Sequence, residues 1–274
     1  MSADAGHHIP DDSRLAQAAK SAIHRGDIRR LAALLLKHPG LATARLGSTG
    51  ESRTMLHVAT DWPGHFPRVA ESIRLLVAAG ADVNAEFVGG HTESPLHWAA
   101  SSDDLHALDA LLDAGADIEA PGSVLGGGTA LADACGFGQW NAARRLVQRG
   151  ASTRLKDAAA LGMMDRVEAS FAAGSPDAET ITAALWSASK GGQREAAQYL
   201  IERGANVNWI GWDAQTCLDV ALAGEDADFI DWLRDRGAKT ASLPTLAASR
   251  SVTAAVGDVT VLVAGVIACP QAAQ

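Results

Sequence analysis

The chain has 274 residues, 47% of them apolar but only 5% aromatic, with a formal charge of −9 at neutral pH and a pI near 5.4. Such a surface repels polyanions over most of its extent, which argues against nucleic acid or an anionic membrane as main partner. Cys135, Cys217 and Cys269 are odd in number and widely spaced, so no disulfide framework is expected and a reducing compartment is the default.

Residues 1–13, MSADAGHHIPDDS, are polar and lack the apolar stretch of a secretory signal; they are expected to be flexible. From residue 14 a helix pair is predicted, with Leu15, Ala18, Ala19 and Ala22 on one stripe, Leu31–Leu36 on the other, and Gly26-Asp27 between them. A second pair opens at Thr54 and is interrupted by Asp61-Trp62-Pro63-Gly64-His65-Phe66-Pro67. Two prolines and a glycine forbid continuous helix there and predict a projecting loop.

The clearest pair runs from Ser94 to Gly115. Ser94 suits a helix cap and Pro95 the first helical turn. Leu96, Ala99 and Ala100 form one apolar stripe, and Leu105, Leu108, Leu111 and Leu112 a second, closed by Gly115. Further pairs are expected around Leu131, Leu155, Leu185 and Leu218, and the last second helix, Asp226–Arg236, is charged as an end cap would be. Beyond Thr240 the pattern stops. Residues 241–274 form a tail of uncertain structure, with strand propensity at Val259–Val263. Its apolar run, Val259 to Cys269, is shorter than the roughly 20 residues a membrane helix needs, and a cytoplasmic location is expected.

One interval recurs. Leu96 to Gly115, Leu131 to Gly150, Leu155 to Gly174, Leu185 to Gly204 and Leu218 to Gly237 each span 19 residues, and Leu56 to Gly80 spans 24. A fixed period of this kind marks one helix–turn–helix unit stacked repeatedly, each copy burying its neighbour's apolar face. The array is predicted over 14–240, with about six to seven helix pairs including caps.

Thr54-Met55-Leu56-His57-Val58-Ala59 and Ser94-Pro95-Leu96-His97-Trp98-Ala99 resemble the opening of an ankyrin repeat. Gly80-Ala81-Asp82-Val83-Asn84 and Gly204-Ala205-Asn206-Val207-Asn208 resemble its close. The whole is similar to the stand-alone ankyrin proteins of bacteria. The resemblance implies an all-α solenoid with short extended hairpin fingers, and a non-enzymatic module binding a protein or peptide on the concave finger and first-helix surface. It also implies that His57 and His97 hydrogen-bond between neighbouring repeats through backbone and Thr or Ser. Between Gly150 and Leu155 the chain is too short for a finger, whereas Asn84–Ser94 and Glu119–Thr129 are long ones.

Partner-binding residues are expected on loops: Trp62, Phe66, Glu86, Phe87, Val88, His91, Val124, Leu125, Trp140, Trp209, Trp212 and Asp213. Exposed aromatics there would form an apolar strip. Glu86, Glu93, Asp103, Asp104, Asp133 and Asp213 would rim it, which suits a basic partner. A catalytic set is not recognisable, and no cofactor, metal, nucleic acid or membrane partner is implied; a monomer is expected. The alternative is an enzyme or metal-dependent site on the insertion and long fingers, built from Asp61, His65 and His91. Gly126-Gly127-Gly128 lacks the lysine of a phosphate loop and reads as a finger turn.

Overall fold

The computed structural model describes residues 7–241, in which seven helix pairs stack in chain order. The expectations for the tail from 242 onward, Val259–Val263 included, lie outside the described residues. The first helices are α1 (Arg14–His24), α3 (Met55–Thr60), α5 (Pro95–Ser101), α7 (Ala130–Phe137), α9 (Leu155–Ala160), α11 (Ala178–Lys190) and α13 (Cys217–Leu222). The second helices are α2 (Ile28–Lys37), α4 (Val69–Ala78), α6 (Leu105–Asp113), α8 (Trp140–Gln148), α10 (Met164–Ala172), α12 (Arg194–Ile201) and α14 (Ala227–Asp235). Each first helix packs on the next along the whole series. Second helices pack from α2 through α8 and again from α10 to α12.

Local chemistry sets these boundaries. Thr54 and Thr216 cap α3 and α13, each accepting from the backbone N–H of the third helical residue. Gly80, Gly115, Gly150, Gly204 and Gly237 end their units at φ between +82° and +104°, a left-handed turn that a side chain would strain. Asn84 and Asn208 explain the close of the repeat. The Asn84 Oδ1 accepts from Asp117 N–H at 2.8 Å, and Asn208 repeats this with Lys239 at 2.8 Å, so each ties one finger to the next.

The unit spanning Leu155–Gly174 departs from the interval that located it. Leu56, Leu96, Leu131 and Leu218 are second helical residues, whereas Leu155 is the first after its cap, Arg154. Gly174 is not among the left-handed glycines. The 19-residue spacing survives there without the conformation it marks elsewhere. In α11, Leu185 lies deep within the helix, because Asp177 caps it where the register of the other units would place the cap at 183.

The first finger is a hairpin of β2 (Arg45–Gly47) and β3 (Ser52–Thr54), and β1 (His8–Ile9) pairs with it in the order β1-β2-β3. β1 runs parallel to β2, with Ile9 opposite Leu46, and β2 runs antiparallel to β3, with Arg45 opposite Thr54. The flexible start expected over 1–13 therefore does not hold for residues 7–13: Ile9 is buried and Ser13 caps α1. Val88 of the second finger bridges to Ser52 and continues the sheet. The finger expected to be missing before α9 is missing, since 149–154 run directly between helices. A second is missing before α11, where 173–177 make the connection and the lengthened helix takes the finger's place.

Candidate binding surface

The twelve expected contact residues fall on two edges of the stack. Trp62 and Phe66 belong to the turn between α3 and α4, and Trp140 opens α8, at the opposite end of the first helices from the fingers. Trp62 is 61% exposed. Phe66 instead stacks on His24 at 4.3 Å, and Trp140 packs on the core. The insertion is docked as well as projecting: His65 donates its backbone N–H to Asp104 Oδ2 at 2.6 Å, and its Nε2 meets Ser102 O at 3.0 Å. These three residues do not join the fingers in one apolar strip.

The second finger carries Glu86, Phe87, Val88 and His91. Glu86 is exposed and Val88 partly so, but Phe87 stacks on His91 at 4.5 Å and leans on buried Trp98 at 5.8 Å. His91 Nδ1 also approaches Glu93 Oε2 at 3.2 Å. Asp61 is held by Arg53 at 2.8 Å. Asp61, His65 and His91 thus have separate partners and do not converge. Among the described residues no three His, Cys, Asp or Glu side chains cluster with a geometry for metal.

The acidic rim is also largely absent. Glu93, Asp104 and Asp133 are buried. Asp104 caps α6 through Ala107 N–H, and Asp103 accepts from Ala142 N–H at 2.7 Å. Asp133 lies beside the Glu93 carboxylate and accepts from Ser123 Oγ; burial and that neighbouring charge push its pKa up to about 8. Of the six acids, Glu86 and Asp213 remain exposed.

Of the remaining expected residues, Leu125, Trp212 and Asp213 line a small cavity of about 70 Å³. Leu125 of the third finger forms one wall, pressed so closely on α7 that a Cβ at Gly136 would fall 2.1 Å from its Cδ1. Trp212 forms the opposite wall, on a tight turn at Trp212–Ala214. Trp212 meets buried Trp186 edge-to-face at 4.9 Å and Trp209 at 5.6 Å. The floor is formed by α7, α9 and α11, which have no finger above them where the two intervening fingers are missing. Val124 lies beside Leu125 and is 42% exposed.

Sequence reasoning passed over two floor residues, Lys156 and Lys190. Their ammonium groups lie 5.5 Å over the Trp212 ring and 5.3 Å over the Trp186 ring. Lys190 also donates to the Gly136 carbonyl, and burial lowers its pKa against the opposing pull of Asp213. Neither lysine forms an ion pair among the described residues. The available signal was the pair of short connections flanking α9, which leave any lysine on these helices without a finger above it.

Residues 70–157 match the family described as ankyrin repeats, three copies. The units within that span are ankyrin repeats. The ankyrin repeat domain of human ASB11, known from a crystal structure, is similar at 19% identity and a TM-score of 0.49, over 82% of this chain and 97% of that one. No curated protein matches the chain. Ankyrin repeats generally serve as protein interaction modules. His57 and His97 take the roles that the ankyrin signature implied: the ring Nδ1 accepts from the backbone N–H of Thr54 or Ser94, and Nε2 contacts the Glu93 or Gly128 carbonyl of the following finger. Trp98, Trp186 and Trp232 pack inside the stack of helix pairs. Cys135 and Cys217 are buried free thiols, their pKa values raised by burial, that of Cys217 to about 11, so neither is activated as a nucleophile. No helix among the described residues is long and apolar enough to cross a membrane.

Proposed function

We propose that this ankyrin-repeat chain is a non-enzymatic binding module, and that it holds a protein or peptide partner on the finger side, centred between Leu125 and Trp212. The observation that carries the reading is the cavity itself, where the exposed side chains of Leu125 and Trp212 stand over Lys156, Lys190 and an Asp157 Oδ1 that has no hydrogen-bond partner. Concave, largely apolar sites with a few directed polar groups are the usual form of a binding site. Buried reduced cysteines fit a reducing compartment, in keeping with a cytoplasmic protein. The catalytic alternative has no comparable support, because Asp61, His65 and His91 are engaged separately.

Affinity capture from the native cell lysate tests this with three baits: the intact chain, Trp212→Ala and Leu125→Ala. Both side chains are over a third exposed, so the melting temperature should move little. Capture of the same protein should fall at least tenfold for Trp212→Ala, as for an aromatic anchor. Equal capture by all three baits would move the partner off this surface. Phe87→Ala is a poor probe, since its ring covers Trp98 and its loss would disturb the core.

A further inference from the structure

We infer that the cavity between the third and sixth fingers receives an extended peptide in the place of the missing finger, with an acidic side chain of that peptide seated between Lys156 and Lys190. This deepens the binding reading above and rests on it.

In α3, α5 and α13 the third helical residue, His57, His97 or Asp219, accepts from the backbone N–H of its own cap and also reaches the backbone beyond the next turn of the chain. His57 reaches the Glu93 carbonyl at 3.0 Å, and Asp219 accepts from Ala241 N–H at 2.8 Å. In α9 the equivalent residue is Asp157. Its Oδ2 accepts from Arg154 N–H at 3.0 Å, but its Oδ1 is buried without a hydrogen-bond partner. Asp157 is only 3% exposed and lines the cavity. The donor that Ala241 supplies to Asp219 is missing here because the finger is missing. A backbone N–H from an extended segment laid across α9 would restore it, and an unsatisfied buried acceptor gains more from such a bond than an exposed one.

The charges then select a side chain. From α9 and α11, Lys156 and Lys190 present half-buried ammonium groups without carboxylate ion pairs among the described residues, set over the Trp212 and Trp186 rings. A carboxylate placed between them is paired in a partly desolvated site, where charge-assisted bonds are strong. Two acids face the same space: Asp157 from the floor and Asp213 from the lip. They balance the lysines, so a single negative charge is accommodated better than a dianionic phosphate. Leu125 and Trp212 offer apolar contact to the residues on either side. Asp213 and Ala214 both sit at φ near +55°, a costly backbone conformation that holds Trp212 in place at the lip.

Panning a phage-displayed library of random decapeptides against the intact chain tests the inference, followed by anisotropy titration of labelled peptides. The recovered peptides should share an Asp or Glu beside an apolar residue, and the matching Asn or Gln peptide should bind at least tenfold more weakly. Lys156→Gln and Lys190→Gln should each abolish that discrimination; glutamine at 190 retains an N–H for the Gly136 carbonyl, and the melting temperature reports that the variants are folded. Lys156→Glu should reverse the preference towards Lys or Arg. If recovered peptides bind at this surface, as shown by loss with Trp212→Ala, but show no acid preference, the seating between the lysines is overturned and the binding module stands. If no peptide is retained above the Trp212→Ala background, both readings fall.

Discussion

His57 is fully buried, and desolvation holds its pKa down to about 3, so the ring is neutral at neutral and mildly acid pH. Neutrality is what its bonds require: Nδ1 must accept from Thr54 while Nε2–H donates to the Glu93 carbonyl. Replacing it with alanine strands both backbone groups and opens a void, and a loss of about 3 kcal/mol in urea unfolding is expected. The folded pKa lies below the unfolded one, so this stabilisation is complete above pH 6.5 and is lost as pH falls towards 3. The gap between wild type and His57→Ala should therefore narrow in acid; a gap constant from pH 7 to pH 4.5 would contradict a neutral ring. Asp133 has the opposite sign. Its carboxyl is raised to about 8, so the folded state retains a proton the unfolded chain gives up near pH 4. Stability drawn from this group is complete below pH 4 and lost as pH rises to 8. Asp133→Asn should thus be the more stable protein at pH 8, with the advantage gone near pH 4, as read by melting temperatures across that range. The sequence placed Asp133 on an exposed rim because charged residues usually lie outside. Only the long third finger folding over α7, with Ser123 and Glu93 brought to it, makes burial tolerable.

Among the elements, α9 and α11 pack on each other most extensively. A Cβ at Gly191 would lie 2.0 Å from the Ala160 backbone carbonyl, which cannot give way as a flexible side chain would. Gly191→Ala should therefore push the two helices apart and cost about 3 kcal/mol in urea unfolding. Gly192 is the control. Its φ is +68° but nothing lies within 4 Å of its Cβ, so alanine there should cost only about 1 kcal/mol of left-handed strain. Equal effects at the two positions would mean that the close approach is not a constraint. Helix pairs were legible at this scale because apolar stripes and closing glycines are local signals, and the register followed from Leu56, Leu96, Leu131 and Leu218. The unit at Leu155 shows the limit of spacing: its leucine is one place early and Gly174 is not left-handed, yet the interval matches. The extension of α11 was hidden for a related reason. Residues 178–184 mix Ala and Glu with β-branched Thr180, Ile181 and Thr182, so local propensity does not announce a helix, and the missing finger leaves them room to form one. The cavity is a product of that absence, so no residue on its floor announces it.

Across the whole molecule the apolar interior divides near the missing fingers. One set of mutually packed residues runs from Ile9 to Ala151 and takes in Ala160; the other runs from Leu155 to Ala238. In a stack, stability is close to the sum of unit and interface terms, so a thin interface separates two cooperative blocks. The seam is thin, because α9 packs far more extensively on α11 than on α7. Leu233 is fully buried in the second set. Leu233→Ala should cost about 2–5 kcal/mol, and most of that loss should stay in its own block. Hydrogen exchange followed by mass spectrometry should then show faster exchange over 178–238 and unchanged protection over α3 to α6, whereas a uniform loss would show one cooperative unit. The cavity lies across this seam, with Leu125 and Gly136 on one side and Trp186, Lys190 and Trp212 on the other. Lys190 already bridges it through the Gly136 carbonyl. A ligand that touches both walls binds only when the two blocks are folded and docked, so it must stabilise their junction by mass action. Saturating peptide should accordingly reduce the difference in protection between the blocks, and should do so less in Lys190→Gln than in the native chain.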